Sequence, residues 1–225
     1  MKCPVCKDKN VKLWTRIDKN ASCLRKHSKD FVRSGETVEY LRCDSCGHIY
    51  CPDMIRMPKS VIAKIYGPDY SIYDPDMVRD RPVRCYELLT GFFFPNLPDS
   101  HLDYGSGYGL LTELLRDNGW NSKSYDPFLS AEEKPEGQYS VVSAFEVAEH
   151  SQHPRELFNE LSKLTKTILI LSTRRNNNQD KSWWYVSPKN GHINIYSEKS
   201  LNLCLRLAGF LEITYNDSVV FGVKL

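Results

Sequence analysis

The strongest constraint on the fold is a glycine-rich turn in the stretch HLDYGSGYG, residues 101–109. Gly105, Gly107 and Gly109 remove every other side chain just after an apolar run that predicts a short strand. The stretch LLTELLRDNGW (residues 110–120) then predicts an amphipathic helix. A glycine-rich turn between a strand and a helix brings a ligand against backbone N–H groups and the helix N-terminus. The turn therefore favours an open α/β sheet with a ligand at this edge.

Helix and strand patterns alternate along the rest of the chain, which predicts an α/β fold with a Rossmann-like, mostly parallel sheet. The apolar run TILILST (residues 167–173) shows no alternation, as is typical of a central parallel strand that is buried on both faces. Pro154 marks the start of one helix, and Ser197 and Ser200 are both candidates for the N-cap of another. LEITYN and VVFGVKL (residues 211–216 and 219–225) predict an antiparallel hairpin at the C-terminus.

Two carboxylates narrow the class of ligand. The predicted second strand ends at Asp126, where a carboxylate faces the ribose hydroxyls of an adenosine-type cofactor. The glycine spacing is G-x-G-x-G, whereas dinucleotide enzymes use G-x-G-x-x-G, and Asp103 comes two residues before the first glycine. An acidic side chain at this place repels a pyrophosphate but suits a cationic amino group. The pattern therefore favours S-adenosylmethionine over NAD and disfavours a dehydrogenase.

Four stretches in order resemble the class I S-adenosylmethionine-dependent methyltransferases, of the kind grouped as types 11, 12 and 23. HLDYGSGYG resembles their motif I, and SYDP (residues 124–127) resembles their acidic second-strand end. AFEVAEHSQHP and GHINIYSEKSL (residues 144–154 and 191–201) resemble the group that includes the ubiquinone-pathway O-methyltransferases. The resemblance covers roughly residues 60–225. It implies a cofactor site formed by Asp103, Gly105, Ser106, Gly107, Tyr108, Asp126, Pro127, Phe145, Glu146 and, in a lid, Tyr73, with Tyr66 or Tyr70 as alternatives in the lid.

The sequence departs from that family after the second strand. Only residues 127–138 separate Asp126 from the next apolar run, YSVVSAF, where the family normally has a helix and a further strand. A crossover connection alone needs at least about 10–12 residues. One strand is therefore expected to be missing here, and the adenine contacts of this region have no assigned residues beyond Pro127 and Phe128.

Cysteine spacing predicts a second, smaller module at the N-terminus. Two C-x-x-C pairs supply the four thiolates of a structural zinc ribbon, namely Cys3, Cys6, Cys43 and Cys46. The long interval between the pairs is tolerated because the entropy of loop closure grows slowly with length. Four spare donors leave a different fourth ligand, or a redox or iron–sulfur role, as alternatives: Cys23, His27, His48 and Cys51. A zinc ribbon before such a core resembles the sugar C-methyltransferases, whose further C-terminal domain has no counterpart here.

The chain is predicted to divide into a zinc ribbon at residues 1–52, a connector or lid at residues 53–76 and a methyltransferase core at residues 77–225. The stretch YGPDYSIYDPD (residues 66–76) has no helical or strand period and predicts a loop. No apolar run approaches the ~20 residues of a membrane helix, and the N-terminus lacks a secretory pattern. A cytoplasmic protein is therefore expected, in which the eight cysteines are metal ligands or free thiols.

Charge is unevenly distributed along the chain. Residues 1–51 carry eleven Lys and Arg against six Asp and Glu, although the whole chain has a net charge of only +2. A basic segment can contact phosphates, which motivates two alternative functions. One is a module that binds nucleic acid or a protein and carries a cofactor-binding but inactive core, and the other is an RNA-directed methyltransferase. A small-molecule acceptor is favoured over nucleic acid, and no membrane partner is expected.

Two carboxyls and two imidazoles are candidates for the chemistry. Glu146, Glu149 and His150 have the spacing of one helical face in EVAEH, and His192 follows the next strand at the same end of the sheet. Three interpretations stay open at this point. These side chains shape the pocket floor, or His150 or His192 is a catalytic general base, or the four hold a divalent metal ion as in small-RNA 2′-O-methyltransferases.

A long polar loop is the candidate for recognising the methyl acceptor. It spans residues 172–192 and carries Trp183 and Trp184, which are equally compatible with ordinary packing. In an open parallel sheet, ligands bind outside the carboxyl ends of the strands, where this loop begins. Arg81 and Arg84 are expected mainly to be solvated on their helix, with contact to an anionic acceptor as the alternative. The sequence does not specify the acceptor, or whether oxygen, nitrogen or carbon is methylated.

Overall fold

The structure is a computed structural model that describes residues 1–26, 33–67, 70–129, 134–216 and 219–224. The strands in these ranges are β1 (Val11–Asp18), β2 (Thr37–Cys43), β3 (Ile49–Tyr50), β4 (His101–Tyr104), β5 (Ser122–Tyr125), β6 (Tyr139–Phe145), β7 (Thr165–Ser172), β8 (Asn194–Ile195), β9 (Glu212–Tyr215) and β10 (Val219–Val223). The α-helices are α1 (Pro52–Arg56), α2 (Lys59–Ile65), α3 (Tyr70–Tyr73), α4 (Asp80–Phe93), α5 (Leu110–Asp117), α6 (Pro154–Leu164) and α7 (Glu198–Leu207). Short 3-10 turns lie at Cys23–Lys26, Pro75–Val78, Ala148–His150 and Pro188–Asn190.

A six-stranded sheet with the order β5-β4-β6-β7-β10-β9 forms the centre of the fold. Strands β4, β5, β6 and β7 are parallel, whereas β10 is antiparallel to both β7 and β9. Leu169, Ile170 and Leu171 of β7 are buried, as expected for a central strand. The predicted α/β class, parallel sheet and C-terminal hairpin are confirmed. The carboxyl ends of the parallel strands share one edge of this sheet, where loops can build a site.

The connection from β5 to β6 is reduced. The described residues between these strands, 126–129 and 134–138, form no strand, and β5 lies at the edge of the sheet. This agrees with the prediction that one strand of the usual fold is missing after the second strand.

Local signals in the sequence set the starts of two helices that cover the sheet. Helix α6 begins with Pro154, which is tolerated in the first turn because its missing N–H has no helical partner there. Helix α7 begins after Ser197, whose Oγ accepts the N–H of Ser200 (3.1 Å) while the Ser200 Oγ accepts the N–H of Ser197 (3.0 Å). This reciprocal capping box satisfies two N–H groups that the helix itself leaves unpaired.

A second sheet, with the order β1-β2-β3-β8, contains the N-terminal strands. Its last strand comes from the C-terminal half of the chain, because Ile49 pairs with Ile195 and Tyr50 pairs with Asn194. The boundaries at residues 52 and 76 stay predictions. The N-terminal sheet is nevertheless completed by a strand of the predicted core, so the two parts share hydrogen bonds as well as packing.

The connector differs from its prediction as a loop. Within residues 66–76, the structure forms helix α3 and the start of the 3-10 turn Pro75–Val78, while Pro68 and Asp69 lie outside the described residues. Tyr70 is buried, so burial of an aromatic side chain against the core organises a stretch that lacks a helical period. No helix formed by the described residues is long and apolar enough to cross a membrane.

Candidate functional site

The glycine turn after β4 is tight because neighbouring side chains approach its backbone. The backbone is left-handed at three glycines of the turn, with φ angles of 75° at Gly105, 58° at Gly107 and 80° at Gly109. Residues that carry a Cβ rarely adopt such angles. A Cβ on Gly105 would lie 2.4 Å from Cγ2 of Val147, and a Cβ on Gly107 would lie 2.6 Å from Cε of Met77. Glycine is therefore required here both for conformation and for space.

The turn is braced against the end of β5. The N–H groups of Gly105 and Ser106 both donate to the carbonyl of Tyr125 (2.7 and 3.2 Å). Asp126 accepts the N–H of Gly107 on Oδ2 (3.0 Å), and its Oδ1 accepts two N–H groups of the following turn, from Phe128 and Leu129. Asp126 thus joins the glycine turn to the turn that follows the second parallel strand.

Asp103 is the last residue in a buried series of side-chain hydrogen bonds between neighbouring strands of the sheet. Its Oδ1 accepts the hydroxyl of Ser143 (2.8 Å), whose Oγ also lies 3.1 Å from Nε2 of His101. Burial raises the pKa of Asp103 to about 7, although the Ser143 hydrogen bond opposes this shift. The carboxyl therefore changes charge near neutral pH.

A first cavity opens beside the glycine turn. Of the predicted cofactor residues, the turn contributes Asp103, Gly105, Ser106, Gly107 and Tyr108, and the neighbouring strand ends contribute Asp126, Pro127, Phe145 and Glu146. Tyr66 and Tyr70 cover the cavity from the connector, and the ring of Tyr66 stacks on Phe128 with centroids 4.9 Å apart. The structure thus brings nine of the ten predicted residues around one space.

Tyr73 does not line this first cavity. It lines a second cavity of about 770 Å³, together with residues of the long polar loop that include Trp184 and His192. The lid-like position over the first cavity belongs to Tyr66 and Tyr70. Helix α3 explains the difference, because it turns Tyr70 inward and Tyr73 toward the second cavity.

The two cavities adjoin, since six residues line both of them: Asp74, Arg81, Cys85, Phe145, Glu146 and His150. Arg81 is not the solvated side chain that the sequence predicted. Its guanidinium pairs with both carboxylate oxygens of Asp74 (2.9 Å each) and its side chain is only 23% exposed. Sequence reasoning missed this pair because Asp74 lies in the connector, outside the helix that carries Arg81.

The EVAEH segment is not the continuous helix that its spacing suggested. Glu146 has a φ of 54°, and only Ala148–His150 form a 3-10 turn. Burial and the neighbouring Glu149 carboxyl raise the pKa of Glu146 to about 7. Glu149 is fully buried, and its Oε1 accepts the hydroxyl of Tyr185 (2.6 Å), a partner that sequence reasoning missed. Oε2 of Glu149 makes no hydrogen bond with the described residues.

Both candidate imidazoles are oriented by backbone carbonyls. Nδ1 of His150 lies 3.0 Å from the carbonyl of Gly191, and Nδ1 of His192 lies 2.8 Å from the carbonyl of Tyr185. Because a carbonyl only accepts, each Nδ1 carries the proton and each Nε2 keeps a lone pair. Burial lowers the pKa of both histidines, so both rings are neutral at neutral pH. One ligand atom from each of Glu149, His150 and His192 lies within 4.8 Å of the other two.

The four predicted zinc ligands form a separate cluster. The Sγ atoms of Cys3, Cys6, Cys43 and Cys46 all lie within 4.8 Å of one another, with separations of 3.7 Å for Cys3–Cys46 and 3.5 Å for Cys6–Cys43. A tetrahedral zinc ion with Zn–S bonds of about 2.3 Å would hold its sulfurs about 3.8 Å apart. The donor chemistry and spacing therefore fit zinc.

The spare donors are not part of this cluster. Sγ of Cys23 lies 4.0 Å from Nε2 of His192, and Nε2 of His48 lies 3.1 Å from Oδ1 of Asn194. Cys51 is buried elsewhere at the start of α1, and His27 lies outside the described residues. Within the described chain, the alternative of a different fourth ligand gains no support.

Comparison with known proteins identifies the fold. Residues 77–214, more than half of the chain, match a family model described as a methyltransferase domain, and no curated protein matches the sequence. One similar solved structure is 1,6-didemethyltoxoflavin-N1-methyltransferase from Burkholderia thailandensis, with bound 1,6-didemethyltoxoflavin and S-adenosylhomocysteine. It is 12% identical, with 79% of this chain and 95% of that chain covered and a TM-score of 0.55.

Another similar structure is an S-adenosylmethionine-dependent methyltransferase from Thermotoga maritima. It is 15% identical, with 73% of this chain and 100% of that chain covered and a TM-score of 0.51. At these identities the two structures show a common fold with this chain.

Proposed function

Because this chain belongs to the methyltransferase-domain family, we propose that it transfers a methyl group from S-adenosylmethionine to a small molecule. The observation that carries the proposal is the pair of adjoining cavities that meet at Glu146 and His150. One is bounded by the glycine turn and the other by the long polar loop. The similar enzyme from Burkholderia thailandensis has both 1,6-didemethyltoxoflavin and S-adenosylhomocysteine bound, which supports a small acceptor.

The residues that line the first cavity support binding of the cofactor there. The glycine turn lines this cavity, and Val147 and Met77 pack directly against Gly105 and Gly107, so no side chain fits at either position. Asp103 would hold the cationic amino group and Asp126 the ribose hydroxyls, while Phe128 offers a flat face to the adenine. Bound S-adenosylmethionine supplies an electrophilic methyl group on a sulfonium.

The second cavity is proposed to hold the acceptor. Proximity and orientation then carry most of the catalysis, because the methyl group is already activated. The paired Arg81 and Asp74 fix the connector against α4 at the boundary between the cavities. If the acceptor must lose a proton, the Nε2 lone pair of His192 or His150 accepts it, since both rings are neutral.

A divalent metal ion is a second candidate for the same place, favoured by one observation. Oε2 of Glu149 is buried without a hydrogen bond to the described residues. One ligand atom of Glu149 lies within 4.8 Å of one atom from each of His150 and His192, and both imidazoles keep a lone pair on Nε2. Glu149, His150 and His192 would hold the ion, which would orient an acceptor and lower the pKa of its hydroxyl. Buried carboxylates usually have partners, so the unpaired oxygen fits this role.

Ligand-induced stabilisation and product formation test the proposed function. We expect S-adenosylmethionine and S-adenosylhomocysteine to raise the melting temperature, and NAD to leave it unchanged, because only a ligand of the native state stabilises it. S-adenosylhomocysteine formation is then measured with a panel of phenols, carboxylic acids and amines. No stabilisation by either S-adenosyl ligand would contradict the enzyme function. Salt-sensitive RNA binding without turnover on the panel would support the nucleic-acid alternative.

Replacing Asp126 by alanine should weaken cofactor binding. The variant removes a carboxylate that faces the cavity and also braces Gly107, so we expect a loss of about 1–3 kcal/mol, as for hydrogen bonds to a charged group. Calorimetry with S-adenosylhomocysteine measures the change. Asp117, at the exposed C-terminal end of α5, gives a matched control in Asp117→Ala, which should bind as wild type. Unchanged affinity in Asp126→Ala would remove this residue from the site.

Cofactor affinity should depend on pH through Asp103. The raised pKa of about 7 means that the carboxyl is mostly protonated at pH 6 and mostly ionised at pH 8. A cationic amino group binds the ionised form, so S-adenosylhomocysteine affinity should rise with pH, by up to about tenfold over these two units. Asp103→Asn should bind more weakly at pH 8 and lose most of this dependence. An equal pH dependence in both proteins would show that Asp103 does not hold the amine.

A further inference from the structure

The segment between the two cysteine knuckles reaches away from the sulfur cluster and lies against the long polar loop. The carbonyl of Ala21 accepts the N–H of Lys189 (3.1 Å) and the hydroxyl of Ser187 (3.3 Å). From β2 of the same module, the hydroxyl of Tyr40 donates to the carbonyl of His192 (2.6 Å). The N-terminal module therefore contacts the loop backbone close to a candidate catalytic histidine.

Asn190 is the residue that fastens this segment. Its Oδ1 accepts the N–H of Cys23 (2.9 Å) and the hydroxyl of Ser22 (3.0 Å), and its Nδ2 donates to the carbonyl of Tyr73 (2.9 Å). Asn190 is only 2% exposed, so these bonds are shielded from water. One buried amide thus joins the N-terminal segment, helix α3 and the polar loop.

The fastened segment forms part of the wall of the second cavity. Cys23 and Leu24 line it on the N-terminal side, and Sγ of Cys23 approaches Nε2 of His192 to 4.0 Å. The same cavity is also lined by the residues that it shares with the first one, including Glu146. The cavity is therefore closed by a segment from outside the part of the chain that matches the methyltransferase domain.

We propose that the segment around Cys23 and Leu24 is a specificity-determining wall of the acceptor site. In this role the N-terminal module shapes the space for the acceptor, Leu24 sets how large a group fits beside His192, and Asn190 is a positioning residue that holds the wall in place. This inference rests on the proposed function, because it takes the second cavity as the acceptor site.

Alkylation of Cys23 by iodoacetamide at mildly alkaline pH, compared among variants by peptide mass spectrometry, tests the wall without a known acceptor. Alkaline pH is needed because the thiolate is the reactive form and burial raises the pKa of the Cys23 thiol to about 12. Leu24→Trp adds bulk next to Cys23 in the cavity wall and should slow alkylation of Cys23 at least several-fold. Leu13→Trp is the matched control, because Leu13 is 46% exposed on β1 and does not line the cavity, so it should react at the wild-type rate. Asn190→Leu releases the segment and should quicken the reaction.

Affinity and turnover measured on the same variants separate this inference from the proposed function. S-adenosylhomocysteine binding should stay near the wild-type value in Leu24→Trp, while product formation with the acceptor panel should fall at least tenfold. Equal alkylation rates in Leu24→Trp and Leu13→Trp would contradict the proposed role of this segment as a wall of the acceptor site. Wild-type turnover in Leu24→Trp would contradict it as well. Failure of the wild-type protein to bind S-adenosylhomocysteine would instead contradict the proposed function. Melting temperatures show whether each variant is folded. If Leu24→Trp is not folded, Leu24→Phe is used in its place.

Discussion

Replacing Cys43 and Cys46 together by serine is expected to abolish zinc binding and to unfold the N-terminal sheet. Both residues belong to the sulfur cluster, and Cys43 ends strand β2, which pairs with β1 and β3. So small a sheet buries little apolar surface of its own, so the free energy of metal binding becomes free energy of folding. For structural zinc sites this is on the order of 10 kcal/mol, more than most single domains can lose.

Elemental mass spectrometry of protein purified without chelator measures the metal, and circular dichroism measures the lost strand content. Cys23→Ser with Cys85→Ser is the matched control, because both thiols lie outside the cluster, and this variant should keep about one zinc per chain. Full zinc content in the Cys43→Ser and Cys46→Ser double variant, or a negligible content in wild type, would contradict the assignment.

The Cys43→Ser and Cys46→Ser double variant should also disturb the second cavity near His192, although the mutated cysteines do not line it. Strand β3 pairs with β8, and the N–H of Cys51 donates to the carbonyl of Ile193 (2.9 Å), next to His192. Loss of β1, β2 and β3 would therefore free the segment that carries this histidine. The glycine turn is built on β4 and β5, so we expect cofactor affinity to change less than turnover.

Features set by neighbours in sequence could be predicted from the sequence alone. The start of α6 at Pro154, the serine cap of α7 and the left-handed glycines of the turn each depend on a few adjacent residues. The central strand β7 could also be predicted from the sequence, because a strand that is buried on both faces has a continuous apolar run. Such local consistency is what makes the parallel sheet predictable.

Features set by distant contacts could not be predicted in this way. Strands β3 and β8 have two residues each, too few for any alternation, and they exist because Ile49–Tyr50 and Asn194–Ile195 meet in the folded protein. The left-handed Glu146 is similar, since its conformation follows from the packing of the strand end. Its spacing to Glu149 and His150 would give one face only in a helix, and the structure places Glu146 in an irregular turn before the short 3-10 turn.

The candidate site illustrates the same division. The residue types that hold a cofactor were visible in the glycine turn and in the acidic strand ends. Tyr185 was not visible as a partner of Glu149, because the two are thirty-six residues apart and the hydrogen bond is buried. The sequence pattern therefore predicts which residue types lie at the site. Which of these residues contact one another depends on the fold.

Replacing His192 by alanine is expected to lower turnover by about 10²–10⁴-fold if its imidazole accepts the acceptor proton. Its Nδ1 donates to the carbonyl of Tyr185, so the Nε2 lone pair faces the Cys23 thiol at 4.0 Å, and both residues line the second cavity. Cofactor affinity should stay within about twofold, because only transition-state contacts are lost. His153→Ala is the control, since His153 is exposed and lines neither cavity. If cofactor binding collapses while turnover per bound cofactor is unchanged, His192 belongs to the scaffold.

Glu149→Gln distinguishes a proton acceptor from a metal ligand at the same place. The amide oxygen of glutamine still accepts the Tyr185 hydroxyl, so the support of His192 survives, but the anionic ligand is lost. If His192 acts as a base, Glu149→Gln should retain most of the turnover, and added Mg²⁺ or Mn²⁺ should leave the rate unchanged. If Glu149, His150 and His192 hold a metal ion, the variant should lose activity nearly as His192→Ala does, and chelator should mimic it. Zinc content is measured in each chelated sample, because only a loss of rate with the cysteine cluster still loaded can be assigned to the second metal site.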